Sequence, residues 1–109
     1  MQSETNQVKT GKSKGFRVII EPIDAVGEMA DQRLEFEVED RENVFATVEN
    51  IKAHTELDAQ SATQLAVGLR ILGPMMMQQR KHPLFVNFMP HFKDFMLNLK
   101  STVKRGLGK

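Results

Sequence analysis

The chain has 109 residues, of which 40% are hydrophobic and 27% are charged, proportions typical of one small globular domain. It has no cysteine, which excludes disulfides, thiolate metal sites and cysteine nucleophiles, and no apolar run long enough to suggest a membrane span. The net charge is only +1, but residues 15–40 carry −6 and residues 70–109 carry +7, so an acidic front half is joined to a basic back half. Because the N-terminus lacks the apolar segment of a secretory signal, we expect a soluble, cytoplasmic protein.

The N-terminal third combines a polar tail with a predicted β-hairpin. Residues 1–14 are too polar to offset the entropy of ordering, so they predict a disordered tail. Apolar and polar residues alternate from Phe16 to Ile23, in a strand that Pro22 limits, and more strictly from Leu34 to Glu39. This pattern predicts an antiparallel hairpin with one apolar face and one acidic face, near which Arg17 is the only basic side chain of the strands. Because a hairpin alone is marginally stable, we expect helices to cover its apolar face.

The first helix is predicted from about Arg41 to Ala53. Asp40 precedes it and is a candidate N-cap, because its carboxylate can accept hydrogen bonds from backbone N–H groups of the first turn. Apolar residues at helical spacing predict a narrow stripe that faces the core. The stripe consists of Val44, Phe45, Val48 and Ile51.

The second helix is predicted to begin after the candidate N-cap Asp58 and to extend as far as Lys81. Its apolar residues fall on two roughly opposite faces, and a helix with two apolar stripes contacts something on both sides. The first face holds Ala62, Leu65, Leu69, Leu72 and Met76, and the second holds Val67, Ile71 and Met75. Pro74 lacks the N–H that would bond to the carbonyl of Arg70, so we expect a kink or a break there.

Two prolines mark boundaries in the C-terminal segment. Pro83 disfavours helical geometry at the preceding residue, which marks a boundary. A short helical turn is predicted from Leu84 to Met89. Pro90 suits the first turn of a final helix that is predicted to end near Lys100. A broad apolar stripe on this segment is expected to supply much of the core. It contains Phe85, Phe88, Met89, Phe92, Phe95, Met96, Leu99 and Val103.

These elements predict an α+β fold in which an N-terminal antiparallel β-hairpin packs against about three C-terminal helices, in the order β-β-α-α-α. We expect a single folded domain over residues 15–101. It would lie between the disordered tail of residues 1–14 and a basic, frayed tail of residues 102–109.

Several of these segments resemble a known family. The hairpin end FEVEDRENVFATVE, the helix start from Leu57 to Ala66, Gly68 and the segment from Arg80 to Phe85 together are similar to a family of short proteobacterial proteins catalogued as a domain of unknown function. The resemblance covers roughly residues 16–100. It implies a compact fold of a hairpin and helices in a bacterial cytosol, and it brings no known activity, cofactor or catalytic residue.

Catalytic and metal-binding patterns are missing from the sequence. His54, His82 and His91 are not paired at helical spacing, and no HExxH motif is present. The TGKS run at Thr10–Ser13 lacks the upstream glycine of a phosphate-binding loop, and no GxSxG nucleophile motif exists. We therefore expect no metal, no cofactor and no enzymatic activity.

Two functions of different classes remain open. The favoured one is a non-catalytic interaction or regulatory module that binds an unidentified protein or a second copy of itself, without contacting a membrane. Its candidate interface consists of Val67, Ile71, Met75, Met77, Arg80, Lys81 and His82. The alternative is weak nucleic-acid binding by the basic C-terminal half, because clustered cations bind phosphate through counterion release.

Overall fold

The computed structural model describes residues 14–107, and the chain divides into two compact units, Met1–Asn43 and Val44–Lys109. The first unit contains strands β1 (Gly15–Ile20) and β2 (Leu34–Glu39), with a 3₁₀ helix (Gly27–Asp31) between them. The second contains helices α1 (Val44–His54), α2 (Ala59–Gln78), α3 (Pro83–Val86) and α4 (Met89–Leu107). This order confirms the predicted α+β class, a two-stranded antiparallel hairpin followed by helices.

The predicted tails fall largely or partly outside the described residues. The structure does not describe residues 1–13, which belong to the tail predicted over residues 1–14. It also does not describe residues 108–109, which belong to the tail predicted over residues 102–109. The single domain expected over residues 15–101 stays a prediction.

The register of the hairpin gives it the two predicted faces. Phe16 pairs with Val38 on the apolar face, and Arg17 pairs with Glu37 on the charged face. Gly15 begins β1 at a close approach, because a Cβ at this position would collide with the carbonyl oxygen of Val38. The alternation of residue types therefore determines which side of the ribbon carries charge.

Helix α1 begins later than the sequence predicts. Asp40 accepts a hydrogen bond from the N–H of Glu42 (3.2 Å) and so closes a bend before the helix, which starts at Val44. The prediction of Asp40 as the N-cap is wrong, because the same local hydrogen bond stabilises an Asx turn equally well. Val44 and Ile51 are buried as expected, but Phe45 is 73% exposed and does not belong to the core stripe.

Helix α2 has the predicted N-terminus. The carboxylate of Asp58 accepts a hydrogen bond from the N–H of Ser61 (2.7 Å), which satisfies one of the unpaired donors of the first turn. The helix ends at Gln78, before the predicted limit at Lys81.

Pro74 does not interrupt α2. The helix runs through this residue from Ala59 to Gln78, so the chain is not broken there. Proline removes one backbone hydrogen bond, but Gly73 and Met76 beside it are buried, and their packing stabilises the helical path. Only about one helical turn follows Pro74, so little helix depends on the missing bond.

The core of the helical unit lies where α1 contacts α2 and α4. Ile51, Ala62 and Ala66 form its buried centre, around which pack Val48, Leu65 and Leu99. The predicted first face of α2 is confirmed at Ala62 and Met76, both buried. Leu72 was predicted on that face but is 42% exposed, whereas Ala66 was not predicted there and is buried.

The last two helices start at the predicted prolines. Pro83 is the first residue of α3, and Pro90 lies in the first turn of α4. Helix α4 continues to Leu107, well beyond the predicted end near Lys100, so residues 102–107 are helical and not frayed. The predicted basic tail is wrong over that range.

The C-terminal turns of α4 lie against the end of α1. A Cβ added to Gly106 would come within 2.6 Å of the Cβ of His54, so the two helices meet almost backbone to backbone. Lys104 and Arg105 lie in the last turn of α4, where positive charge interacts favourably with the helix dipole. Packing and charge together explain why the helix extends past its predicted end.

Phe92 is the buried aromatic residue of α4, at 9% exposure. Its ring would touch a Cβ added to Gly73 of α2, and it lies 6.1 Å from the ring of Phe88, centroid to centroid. Phe88 and Phe95 were predicted in the same stripe but are exposed. The chain leaves helical geometry between α3 and α4, so a single helical wheel across both segments misplaces Phe88.

Candidate functional site

The structure separates the seven predicted interface residues into different places. At about 100° per residue, Val67, Ile71 and Met75 share the side of α2 that lies opposite the buried Ala62 and Met76. Val67 and Ile71 are half-buried, and Met75 is 38% exposed.

Exposed Leu72 lies at the edge of this side, about 60° around the helix from Met75 and about 100° from Ile71, although it was predicted on the first face of the helix. We call the set Val67, Ile71, Leu72 and Met75 the α2 surface.

The three consecutive methionines point in different directions. Met76 is buried at 2% exposure, and exposed Met75 and Met77 are each about 100° around the helix from it, on opposite flanks. Three methionines in a row on a helix therefore cannot all face one core. Met77 therefore does not extend the α2 surface, although it remains an exposed apolar side chain.

The basic flank of the candidate interface lies beyond the end of α2, and two of its side chains make local contacts. The guanidinium of Arg80 donates to the carbonyl of Met77 (3.2 Å), close to the C-terminus of the helix. His82 is the N-cap of α3, because its Nδ1 accepts a hydrogen bond from the N–H of Leu84 (3.0 Å). Its ring also lies 5.7 Å from that of Phe85. These contacts give His82 a structural role, and a ring with Nδ1 occupied in this way is poorly placed to act as a ligand there.

Sequence reasoning missed the exposed apolar residues of the short helix α3. Leu84 and Val86 are both exposed on this one-turn element. Their signal was present in the sequence, because two prolines seven residues apart, Pro83 and Pro90, leave room for only one helical turn between two helix starts. A turn this short cannot bury every apolar side chain that it carries.

The charged face of the hairpin is paired within itself. Arg33 donates to Glu21 (2.6 Å) and Glu35 (2.9 Å), and Arg17 lies 3.3 Å from Glu35 and donates to Glu37 (3.0 Å). The hydrogen bond from Arg33, followed by the charges of both arginines, lowers the pKa of Glu35 below its ordinary value. The hydrogen bond to Glu37 is the main cause that raises the pKa of Arg17. Arg17 was predicted near this face from the sequence, whereas Arg33, which precedes β2 by one residue, was not.

Helix α4 presents the opposite situation. Lys93, Lys100 and Lys104 are exposed and fall within about 40° of one another around the helix. Within residues 14–107, none of these three lysines forms an ion pair. Leu97 lies between them on the same side and is 56% exposed. We call the four residues the lysine stripe.

The described part of the chain offers little for metal or membrane chemistry. No three histidine or acidic side chains within residues 14–107 come close enough to hold a metal ion. Each described helix is too short or too polar to cross a bilayer.

Comparison with known proteins places the chain in a family. Its residues 14–101 match the model of DUF3861, described as a domain of unknown function with a solved structure. The chain belongs to this family. The expected resemblance to a proteobacterial family of unknown function is thereby confirmed.

A solved structure is also similar. It is the crystal structure of a protein of unknown function from Pectobacterium atrosepticum, with 31% sequence identity and a TM-score of 0.71. The match covers 82% of this chain and 98% of that one. No curated protein matches. Neither the family nor the similar structure carries an assigned activity, so a function has to be argued from the surfaces themselves.

Proposed function

We propose that the protein is a non-catalytic interaction module that binds another protein, or a second copy of itself, through the α2 surface. The observation that carries the proposal is the exposure of Met75 beside half-buried Val67 and Ile71, on the side of α2 away from its buried alanines, with exposed Leu72 at the edge of that side. A helix that only completed the core would need one apolar side. Exposed methionine suits such a contact, because its flexible thioether adapts to partners of different shape.

The proposal is tested by exchanging exposed apolar groups for charge. Leu72→Glu/Met75→Glu should fold, because both side chains already contact solvent, and it should lose any association that the wild-type chain shows. Met77→Glu is the control, since Met77 is somewhat more exposed than Leu72 and Met75 but lies on another flank of the same helix. Mass by light scattering across a concentration series measures self-association, and capture from native bacterial lysate with quantitative mass spectrometry measures other partners.

The outcome that contradicts the proposal is equally defined. It is a wild-type chain that stays monomeric and captures the same proteins, in the same amounts, as Leu72→Glu/Met75→Glu. Ile71 is less suitable for this exchange, because it is half-buried and a glutamate there would also lower the stability of the fold.

Weak nucleic-acid binding is the alternative function, and the observation that favours it is that Lys93, Lys100 and Lys104 of α4 form no ion pair with any residue that the structure describes. Lysines bind phosphate as point charges, with an affinity that falls steeply as salt rises. The chain has no tyrosine or tryptophan on which bases could stack. The alternative therefore depends on phosphate contacts alone.

A further inference from the structure

We propose that the lysine stripe of α4 is a second docking surface, and that its occupant is an acidic amphipathic helix of a partner protein, with carboxylates arranged around an apolar side chain. The lysine stripe shares no residue with the α2 surface, so this proposal can be tested independently of the function proposed above.

The geometry of α4 defines the stripe. Lys93 and Lys100 are about 10.5 Å apart along the helix axis, and Lys104 lies about 6 Å further on, from a rise of about 1.5 Å per residue. Leu97 projects from the same side between the first two lysines. Buried Phe92 is about 140° around α4 from Leu97, so the core does not account for Leu97.

The charges of the two units differ in how they are satisfied. On the hairpin, Arg17 and Arg33 each contact two glutamates, so cations and carboxylates neutralise one another locally. On the lysine stripe, no carboxylate of the described residues pairs with the three cations. Unpaired charges of one sign on one side of a helix attract an anionic partner and raise its association rate.

The apolar residue within the stripe decides among the possible polyanions. A nucleic-acid backbone would satisfy the lysines but would place its charged phosphates against Leu97 and gain nothing from it. An acidic amphipathic helix satisfies both, because its carboxylates reach the lysines and its apolar residue covers the leucine. The acidic face of a second copy fits less well, since Glu35 and Glu37 already bind arginine within their own hairpin.

The test uses full-length chain and a dye-labelled synthetic helical peptide with three glutamates, at the spacing of the lysines, around one leucine. The matched peptide has glutamine in place of glutamate, and a single-stranded oligonucleotide of similar length is the competing polyanion. Fluorescence anisotropy at low and physiological ionic strength gives each dissociation constant.

The variants separate the two parts of the stripe. Lys93→Gln/Lys100→Gln/Lys104→Gln should weaken binding of the acidic peptide roughly tenfold, and Leu97→Ala should weaken it roughly threefold. The control removes the same charge elsewhere, in Lys9→Gln/Lys12→Gln/Lys52→Gln, and should bind as the wild type does. Circular dichroism should show unchanged helix content for every variant, because all the substituted side chains of the stripe are exposed.

Three results would overturn the inference. One is equal affinity for the glutamate and glutamine peptides. Another is a loss of binding in the control as large as in the lysine-stripe variant, which would make net charge the only determinant. The third is tighter binding of the oligonucleotide together with no effect of Leu97→Ala, which would identify the stripe as a phosphate-binding surface.

Discussion

Gly106 and Gly68 are both helical glycines, and the same substitution should change stability in opposite directions at the two positions. In a helix interior, glycine to alanine stabilises by about 1 kcal/mol, because alanine loses less backbone entropy on folding. At Gly68, in α2, a new Cβ would have nothing within 4 Å, so Gly68→Ala should realise this gain. In a domain of this size, about 1 kcal/mol raises the melting temperature by about 4–8 °C.

At Gly106 the new methyl group would meet the other helix. It would lie 2.6 Å from the Cβ of His54 and 3.0 Å from both its Cα and its Nδ1. Carbon atoms need about 3.5–4.0 Å, so the overlap is close to an ångström and involves backbone that cannot rotate away. Overpacking of this kind costs about 1–3 kcal/mol, which outweighs the smaller propensity gain near a helix end. We expect Gly106→Ala to destabilise the protein by about 1 kcal/mol, and to fray the last turn of α4.

Urea denaturation followed by circular dichroism at the helix minimum measures both changes, with equal slopes for the variants and wild type as the check on comparability. If Gly106→Ala stabilised the chain as much as Gly68→Ala, α4 would not approach the end of α1 as described, and the reasoning would be wrong. Gly106→Ser, with a bulkier side chain at the same point, should be worse than Gly106→Ala.

Three further predictions concern single side chains. Phe92→Ala should lower the free energy of unfolding by about 3 kcal/mol in urea denaturation, at the lower end for a buried phenylalanine because the neighbouring Phe88 is open to solvent; a loss well below 1 kcal/mol would contradict its burial. His82→Ala should cost about 1 kcal/mol by removing the cap of α3, whereas His82→Asn should cost less because it keeps an acceptor; equal losses would refute the capping role. The hydrogen bond from the Ser61 N–H lowers the pKa of Asp58 in the folded state. The ionised Asp58 carboxylate therefore stabilises the fold above its unfolded pKa of about 3.9, and this stabilisation disappears as pH falls through the lower pKa of the folded state. Thermal melts between about pH 5 and pH 3 should therefore fall more steeply for wild type than for Asp58→Asn, and parallel curves would show that this carboxylate does not matter.

The elements with a strict local pattern could be predicted from the sequence. Alternation in β2 and the capping position of Asp58 depend on residues that are neighbours along the chain, so they needed no knowledge of the tertiary structure. The buried position of Met76 between two exposed methionines likewise follows from helical periodicity alone.

The remaining features depend on contacts that no periodicity reveals. Helix α4 extends to Leu107 because its last turns pack on α1. Arg33 joins the hairpin network from the end of the segment that connects β1 to β2. The division of the candidate interface is an exception, because an angular plot of α2 alone already shows that Met77 faces away from Met75.

The two-stranded sheet has a consequence for aggregation. Among the described residues the sheet contains β1 and β2 alone, so each strand has an outer edge without a strand partner, a geometry that invites pairing between chains. Residues 15–40 carry a net charge of −6 after their arginines are counted, and this excess of negative charge opposes the approach of a second copy while the carboxylates are ionised. The lowered pKa of Glu35 keeps one of these charges into more acidic solution than an isolated glutamate would allow. Because this protection is electrostatic, high salt and acid should both weaken it. The hairpin arginines contribute to the protection as well as the glutamates, because they lower the pKa of Glu35.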